Sequence, residues 1–103
     1  MRTETKDNKT IFYLEGRISS DNAGALQKEI EQALSAAPDT EPVMDATDLE
    51  YISSAGLRVL LQLAKQRGGS LTVQNVSSAV YEIFEMTGFT DILNVRKKCG
   101  SSA

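Results

Sequence analysis

The stretch YISSAGLRVLL, Tyr51–Leu61, decides how the rest of the chain is read. Two adjacent serines, an alanine and a glycine stand directly before an apolar run. At helical spacing Leu57, Leu60, Leu61 and Ala64 face one way, and Arg58, Gln62 and Lys65 face the other, so a helix opens at Ser53 or Ser54. The RGG of Arg67–Gly69 stops it. A serine at the N-cap satisfies one orphan backbone N–H, worth about 1 kcal/mol. Gly56 costs roughly 0.5–1 kcal/mol relative to alanine inside a helix, and its smallness suits a close approach of helix to sheet.

Outward from this helix the chain alternates strands and helices. SLTVQNV follows it as a strand with Leu71 and Val73 inward. Ser77 or Ser78 caps a third helix carrying Val80, Ile83 and Phe84. Gly88 suits a left-handed position after that helix, with Phe89 folding back as its hydrophobic contact. ILNV, residues 92–95, reads as a last short strand. On the N-terminal side PVMDA, residues 42–46, is a short buried strand, and DLEYISSAGL a turn into the helix. Before it, Leu26, Ile30, Ala33 and Leu34 form one stripe of a helix capped by Ser20, Asp21 or Asn22. IFYLEG, Ile11–Gly16, is apolar on both faces, as a strand covered on both sides would be. Thr3–Lys6 pairs with it across a turn at Asp7–Lys9. The expected fold class is α/β: a single domain over residues 1–98, with a mixed, mostly parallel sheet of four to five strands and helices packed on it, then a polar tail over 99–103.

Composition narrows the function. The 103 residues are 41% hydrophobic and 24% charged, enough for one core and no more than one domain. A net charge of -3 leaves no basic footprint, so direct nucleic-acid binding is not expected. No apolar run approaches the roughly 20 residues of a membrane span, and MRTETKDNKT lacks a signal-peptide core, so no membrane partner and a cytoplasmic location are expected. One cysteine, Cys99, allows no intrachain disulfide. The chain has no histidine, which removes Ser-His-Asp and Cys-His nucleophiles and the usual zinc ligand sets. With no G-x-S-x-G elbow either, an enzyme is not expected, nor a cofactor or metal.

In a parallel sheet, functional loops gather where strands end and helices begin. Two such turns carry paired serines: GRISSDN and DLEYISSAGL. A hydroxyl in a first helical turn sits at the positive end of the macrodipole. A phosphoryl group there meets free N–H groups and changes the surface charge by about -1.5 to -2 with little refolding.

These residues carry a resemblance. DLEYISSAGLRVLLQLAKQRGGSLTV is similar to the signature of the STAS domain of anti-sigma factor antagonists: a Ser/Thr-Gly-Leu core, an apolar helix, a Gly-rich turn and a strand. VSSAVYEIFEMTGFTDIL resembles the family's third helix, and FYLEGRISSDNAGAL its start, so the resemblance spans roughly residues 9–96. It implies partner switching. The unphosphorylated antagonist binds an anti-sigma factor that is also a serine kinase; the kinase phosphorylates the serine two residues before the motif glycine, here Ser54 before Gly56; a PP2C-type phosphatase reverses the step. The implied partner-binding residues are Ser19, Ser20, Asp21, Ser53, Ala55, Gly56 and Arg58, with Gln62 at the margin. The chain departs from the family pattern at two positions. Ser53 stands where an aspartate is usual, and the first-loop acid aligns near Ser19, with Asp21 close by. The alternative is a STAS accessory subunit that does not switch, for example one docked on a lipid-transport ATPase, which needs only a cap at Ser54.

Overall fold

Asp7 and Asn8 both take positive φ, 52° and 64°, and so turn the chain through a tight two-residue hairpin of the kind that matches strand twist. It joins β1 (Arg2–Lys6) to β2 (Lys9–Ile18), paired antiparallel from Arg2 opposite Tyr13 to Lys6 opposite Lys9. Lys9, expected in the turn, is therefore already in the strand. The structure is a computed structural model and describes residues 2–68 and 71–98. Gly69, Cys99 and the polar tail expected over 99–103 lie outside those residues. After β2 come α1 (Ala23–Ala36), β3 (Glu41–Ile52), α2 (Ser54–Gln66), β4 (Thr72–Val76), α3 (Ser78–Met86), a 3-10 turn at Phe89–Asp91 and β5 (Asn94–Lys97). This is the element order expected from the sequence.

The five strands lie in the order β1-β2-β3-β4-β5, with β2 to β5 parallel. Each parallel strand sits beside the next in sequence, so right-handed crossovers carry all three helices to one face. Phe12, Met44, Val73 and Val95 line up across that face. Phe12, Met44 and Val73 are fully buried in one cluster with Leu26 and Ile30 of α1, Leu57 and Leu60 of α2, and Val80 and Phe84 of α3. The opposite row, Ile11-Val43-Thr72 and Tyr13-Asp45-Gln74, has no helix over it, and Ile11 and Tyr13 are only half-buried. The expectation of a β2 covered on both sides is thus corrected. Its apolar outer residues shield Val43 in the neighbouring strand instead.

β3 runs on through Ile52, well past the expected end at Ala46. Its register against β2 slips twice: Tyr13 and Glu15 face Asp45 and Asp48, then Gly16 and Arg17 face Leu49 and Tyr51. Each slip adds one residue to β3, so inward residues fall every third position, at Ala46, Leu49 and Ile52, with two exposed residues between them. A strand with that spacing shows no alternation, which is why it reads as a turn.

In α2 the buried residues are Gly56, Leu57, Val59, Leu60, Leu63 and Ala64. Leu61, expected in the core, is half-buried. The helix also packs against α1, and Val59 and Leu63 line that seam beside Ile30. In α3 Val80 and Phe84 are buried and Ile83 partly so. Gly88 is left-handed at φ 79°, and the half-buried Phe89 packs back on the core, as expected. β5 starts at Asn94, two residues later than expected: Leu93 is buried, and Ile92 sits in the turn, 47% exposed.

Candidate functional site

The two serine-bearing turns meet at the C-terminal ends of β2 and β3. The backbone N–H of Ser53 donates to Ile18 O at 2.8 Å, which extends the strand pairing by one bond and joins the turns. In the first turn Ser19 O accepts from the N–H groups of Asn22 and Ala23, and Ser19 Oγ from Asp21 N–H at 3.3 Å. Asn22 is the N-cap of α1, but its side chain does not cap: Oδ1 accepts from Ser19 N–H at 2.8 Å, and Nδ2 donates to Arg17 O at 2.9 Å. The turn is thereby held from both sides, and Ser20 and Asp21 project as exposed residues.

The structure decides which serine caps α2. Ser53 is extended, φ -85° and ψ 173°, and its Oγ accepts from Gly56 N–H at 3.4 Å. Leu57 N–H donates to its carbonyl at 2.9 Å. Ser54 is the first helical residue and is exposed, and its hydroxyl has no hydrogen-bond partner among the described residues. The first turn of α2 contains no acidic residue, so the positive end of its dipole is not neutralised from within the helix.

The other expected site residues divide by depth. Arg58 is exposed beside Ser54; Ala55 is half-buried against the core; Ser53 and Ser19 are half-buried. Gln62 is exposed and accepts from Gln27 Nε2 of α1 at 3.3 Å. Gly56 is buried and presents no surface. A Cβ there would stand 2.7 Å from Ile18 Cγ2 and 2.7 Å from Ile52 Cγ1. Gly56 therefore lets α2 descend onto β2 and β3, and in doing so sets the height of Ser54.

Three residues at or near this end were not singled out from the sequence. Arg17 stacks over the Tyr51 ring, 4.6 Å from its centroid, beside the Ile18–Ser53 junction. Asp45 lies in mid-sheet at 6% exposure. Burial is the largest influence on its carboxyl and pushes the pKa up, but hydrogen bonds from Thr47, Gln74 and Asn75 outweigh it and hold the group below the ordinary aspartate range. An aspartate inside the apolar run PVMDA was the available signal; its partners on β4 lie 29 and 30 residues away and left none.

Among the described residues no group of three or more His, Cys, Asp or Glu is arranged to hold a metal ion. A groove of about 300 Å³ beside the first turn is lined by Leu14, Ile18 and Leu26 with Glu15 and Glu29, and those two carboxylates make it a poor seat for a phosphate. No helix among the described residues is long and apolar enough to cross a membrane.

Comparison with known proteins agrees with this architecture. Residues 1–94 match a family model described as Mlab, STAS domain. The chain is 38% identical over 92 residues to BtrV of Bordetella bronchiseptica, a candidate anti-sigma factor antagonist, covering 86% of this chain and 78% of that one. It is 35% identical over 54 residues, half of each chain, to the anti-sigma-B factor antagonist of Bacillus subtilis. The fold superposes with a TM-score of 0.81 on a solved structure from Thermotoga maritima, at 17% identity, over 98% of this chain and 89% of the other. From the matched family model, the BtrV identity and the shared fold together, the chain belongs to the STAS domain family.

Proposed function

We propose that the chain is an anti-sigma factor antagonist that works by partner switching: a regulatory binding protein, not an enzyme. Its relatives carry that name. The unphosphorylated form binds an anti-sigma factor with serine kinase activity across Ser19, Ser20, Asp21, Ser54, Ala55 and Arg58. Phosphorylation of Ser54 releases the complex, and a PP2C-type phosphatase restores binding.

The observation that carries this reading is the division of labour between the serines. Ser53 supplies the cap, which leaves Ser54 exposed and unbonded at a positive helix end. A phosphoryl group on Ser54 is welcomed by the free N–H groups of α2 and need not disturb the core. The same dianion meets a partner surface shaped for a neutral hydroxyl. Desolvation and like-charge repulsion then weaken binding by roughly 10- to 1,000-fold.

Calorimetry with the anti-sigma factor recovered from the native cell tests this. Ser54→Ala binds nearly as well as wild type. Ser54→Asp, with one charge and a shorter reach, loses part of the affinity. Equal binding by two folded variants refutes the switch, and label retained in Ser54→Ala after incubation with kinase and ATP refutes the choice of serine. The second reading is a STAS accessory subunit that does not switch; the observation that favours it is that Ser53 alone supplies the helix cap, which is all such a subunit needs at this turn. Phosphorylation at Ser54 counts against that reading.

A further inference from the structure

Asp45 bonds to two irregularities of the sheet at once. Its Oδ1 accepts from the backbone N–H of Thr47 at 3.0 Å and from Thr47 Oγ1 at 2.6 Å. Its Oδ2 accepts from Gln74 Nε2 at 3.2 Å and Asn75 Nδ2 at 2.9 Å. Thr47 lies in the first slip of β3, where a step of two along β2 (13 to 15) spans a step of three along β3 (45 to 48). Asn75 lies in the corresponding slip of β4, where a step of three (73 to 76) faces a step of two along β5 (95 to 97). Asn75 also takes φ 57°, uncommon for a residue with a side chain.

We propose that Asp45 is the positioning residue for the two helix starts at this end of the sheet: a two-sided clamp that fixes where β3 slips before Ser53–Ser54 and where β4 kinks before Ser77–Ser78. All four contacts are donated to it, and a carboxylate accepts them without rearrangement: in Asp45→Asn the side-chain NH₂ would either meet the Thr47 N–H or require the Gln74 and Asn75 amides to turn over. At a bulge the extra residue drops out of the ladder, and the Thr47 N–H needs the acceptor that Asp45 supplies. Without this slip β3 would pair with β2 one residue out of register beyond it, Leu49 and Ile52 would leave the core side, and the Ser53 N–H to Ile18 O bond would be lost. The same logic holds on β4, where Ser77 Oγ caps α3 by accepting from Val80 N–H at 3.3 Å. The consequence for switching rests on the reading of Ser54 above; the clamp itself does not.

Amide hydrogen exchange on the free, full chain tests the clamp. In Asp45→Asn, exchange at Ser53, Gly56 and Val80 accelerates about tenfold or more beyond any change at Ile30 of α1, which reports the rest of the fold. Two milder variants separate the arms. Thr47→Val, which removes one donor to Oδ1, disturbs Ser53 and Gly56 and leaves Val80. Asn75→Gly, which keeps the left-handed backbone but drops the bond to Oδ2, disturbs Val80 and leaves Ser53 and Gly56. Equal acceleration at all four amides, or none at any, overturns the proposal, and should Asp45→Asn not fold, the two single-arm variants decide in the same way. No partner enters these measurements, so a chain that is never phosphorylated refutes the switch and leaves the clamp standing.

Discussion

Gly56→Ala isolates the contact that seats α2 on the sheet. The added methyl would lie 2.7 Å from Ile18 Cγ2, 2.7 Å from Ile52 Cγ1 and 3.2 Å from Ile52 Cδ1. Only the last atom is the far end of a side chain. The other two are branch atoms one bond from Cβ, on β-branched residues whose χ1 is stiff, and both isoleucines are buried. Relief therefore requires the helix start or the strand ends to move. Overpacking of this kind costs typically about 1–3 kcal/mol. Alanine returns about 0.8–1.0 kcal/mol of helix propensity against glycine. The two distances well inside van der Waals contact place the penalty in the upper part of its range, which leaves a net destabilisation of about 1–2 kcal/mol. For a domain of this size that lowers Tm by roughly 5–12 °C. Urea and thermal unfolding followed by circular dichroism measure both quantities. A Gly56→Ala protein as stable as wild type, or more so, would show that α2 does not rest on Ile18 and Ile52 and that the height of Ser54 has another origin.

Ser53→Ala removes the cap of α2 and lowers stability by about 1 kcal/mol, whereas Ser54→Ala changes it by no more than about 0.5 kcal/mol; a reversed order in urea unfolding would mean that Ser54 is the cap. Leu60→Ala costs about 2–5 kcal/mol and Leu61→Ala clearly less, because Leu60 is fully buried and Leu61 is not. Asp45 gives a pH dependence. Its folded pKa lies below the unfolded value of about 4, so its stabilisation is complete above pH ~4 and is lost as the pH falls through the folded pKa. Tyr13 on β2 is its cross-strand neighbour, with Arg2 and Glu4 beyond on β1, and all three are retained in Asp45→Asn, so they contribute equally to both proteins. Urea midpoints between pH 6 and 2.5 then fall less steeply for Asp45→Asn than for wild type, and parallel curves would remove Asp45 from the acid limb.

The sequence by itself determined the features that depend on neighbours a few residues apart. Helical stripes such as Leu26-Ile30-Leu34, the serine pairs that open α2 and α3, and the left-handed Gly88 are local energetic choices, and each stands where its residues put it. The order of strands and helices followed from these, and with it the parallel sheet and the helix start that bears Ser54. Tertiary structure decided what depends on partners distant in the chain. Ser53 caps rather than Ser54 because its N–H is already tied to Ile18 O on the neighbouring strand, which holds it extended. β3 continues to Ile52 because two slips against β2 replace the alternation of a flat strand with a spacing of three, and a slip is a property of a strand pair. Val59 and Leu63 displace Leu61 from the buried face because α1 lies alongside. The face of β2 that looked covered stays open because every crossover turns the same way. Asp45, one acid in an apolar run, acquires its role only when β4 brings Gln74 and Asn75 within hydrogen-bonding distance.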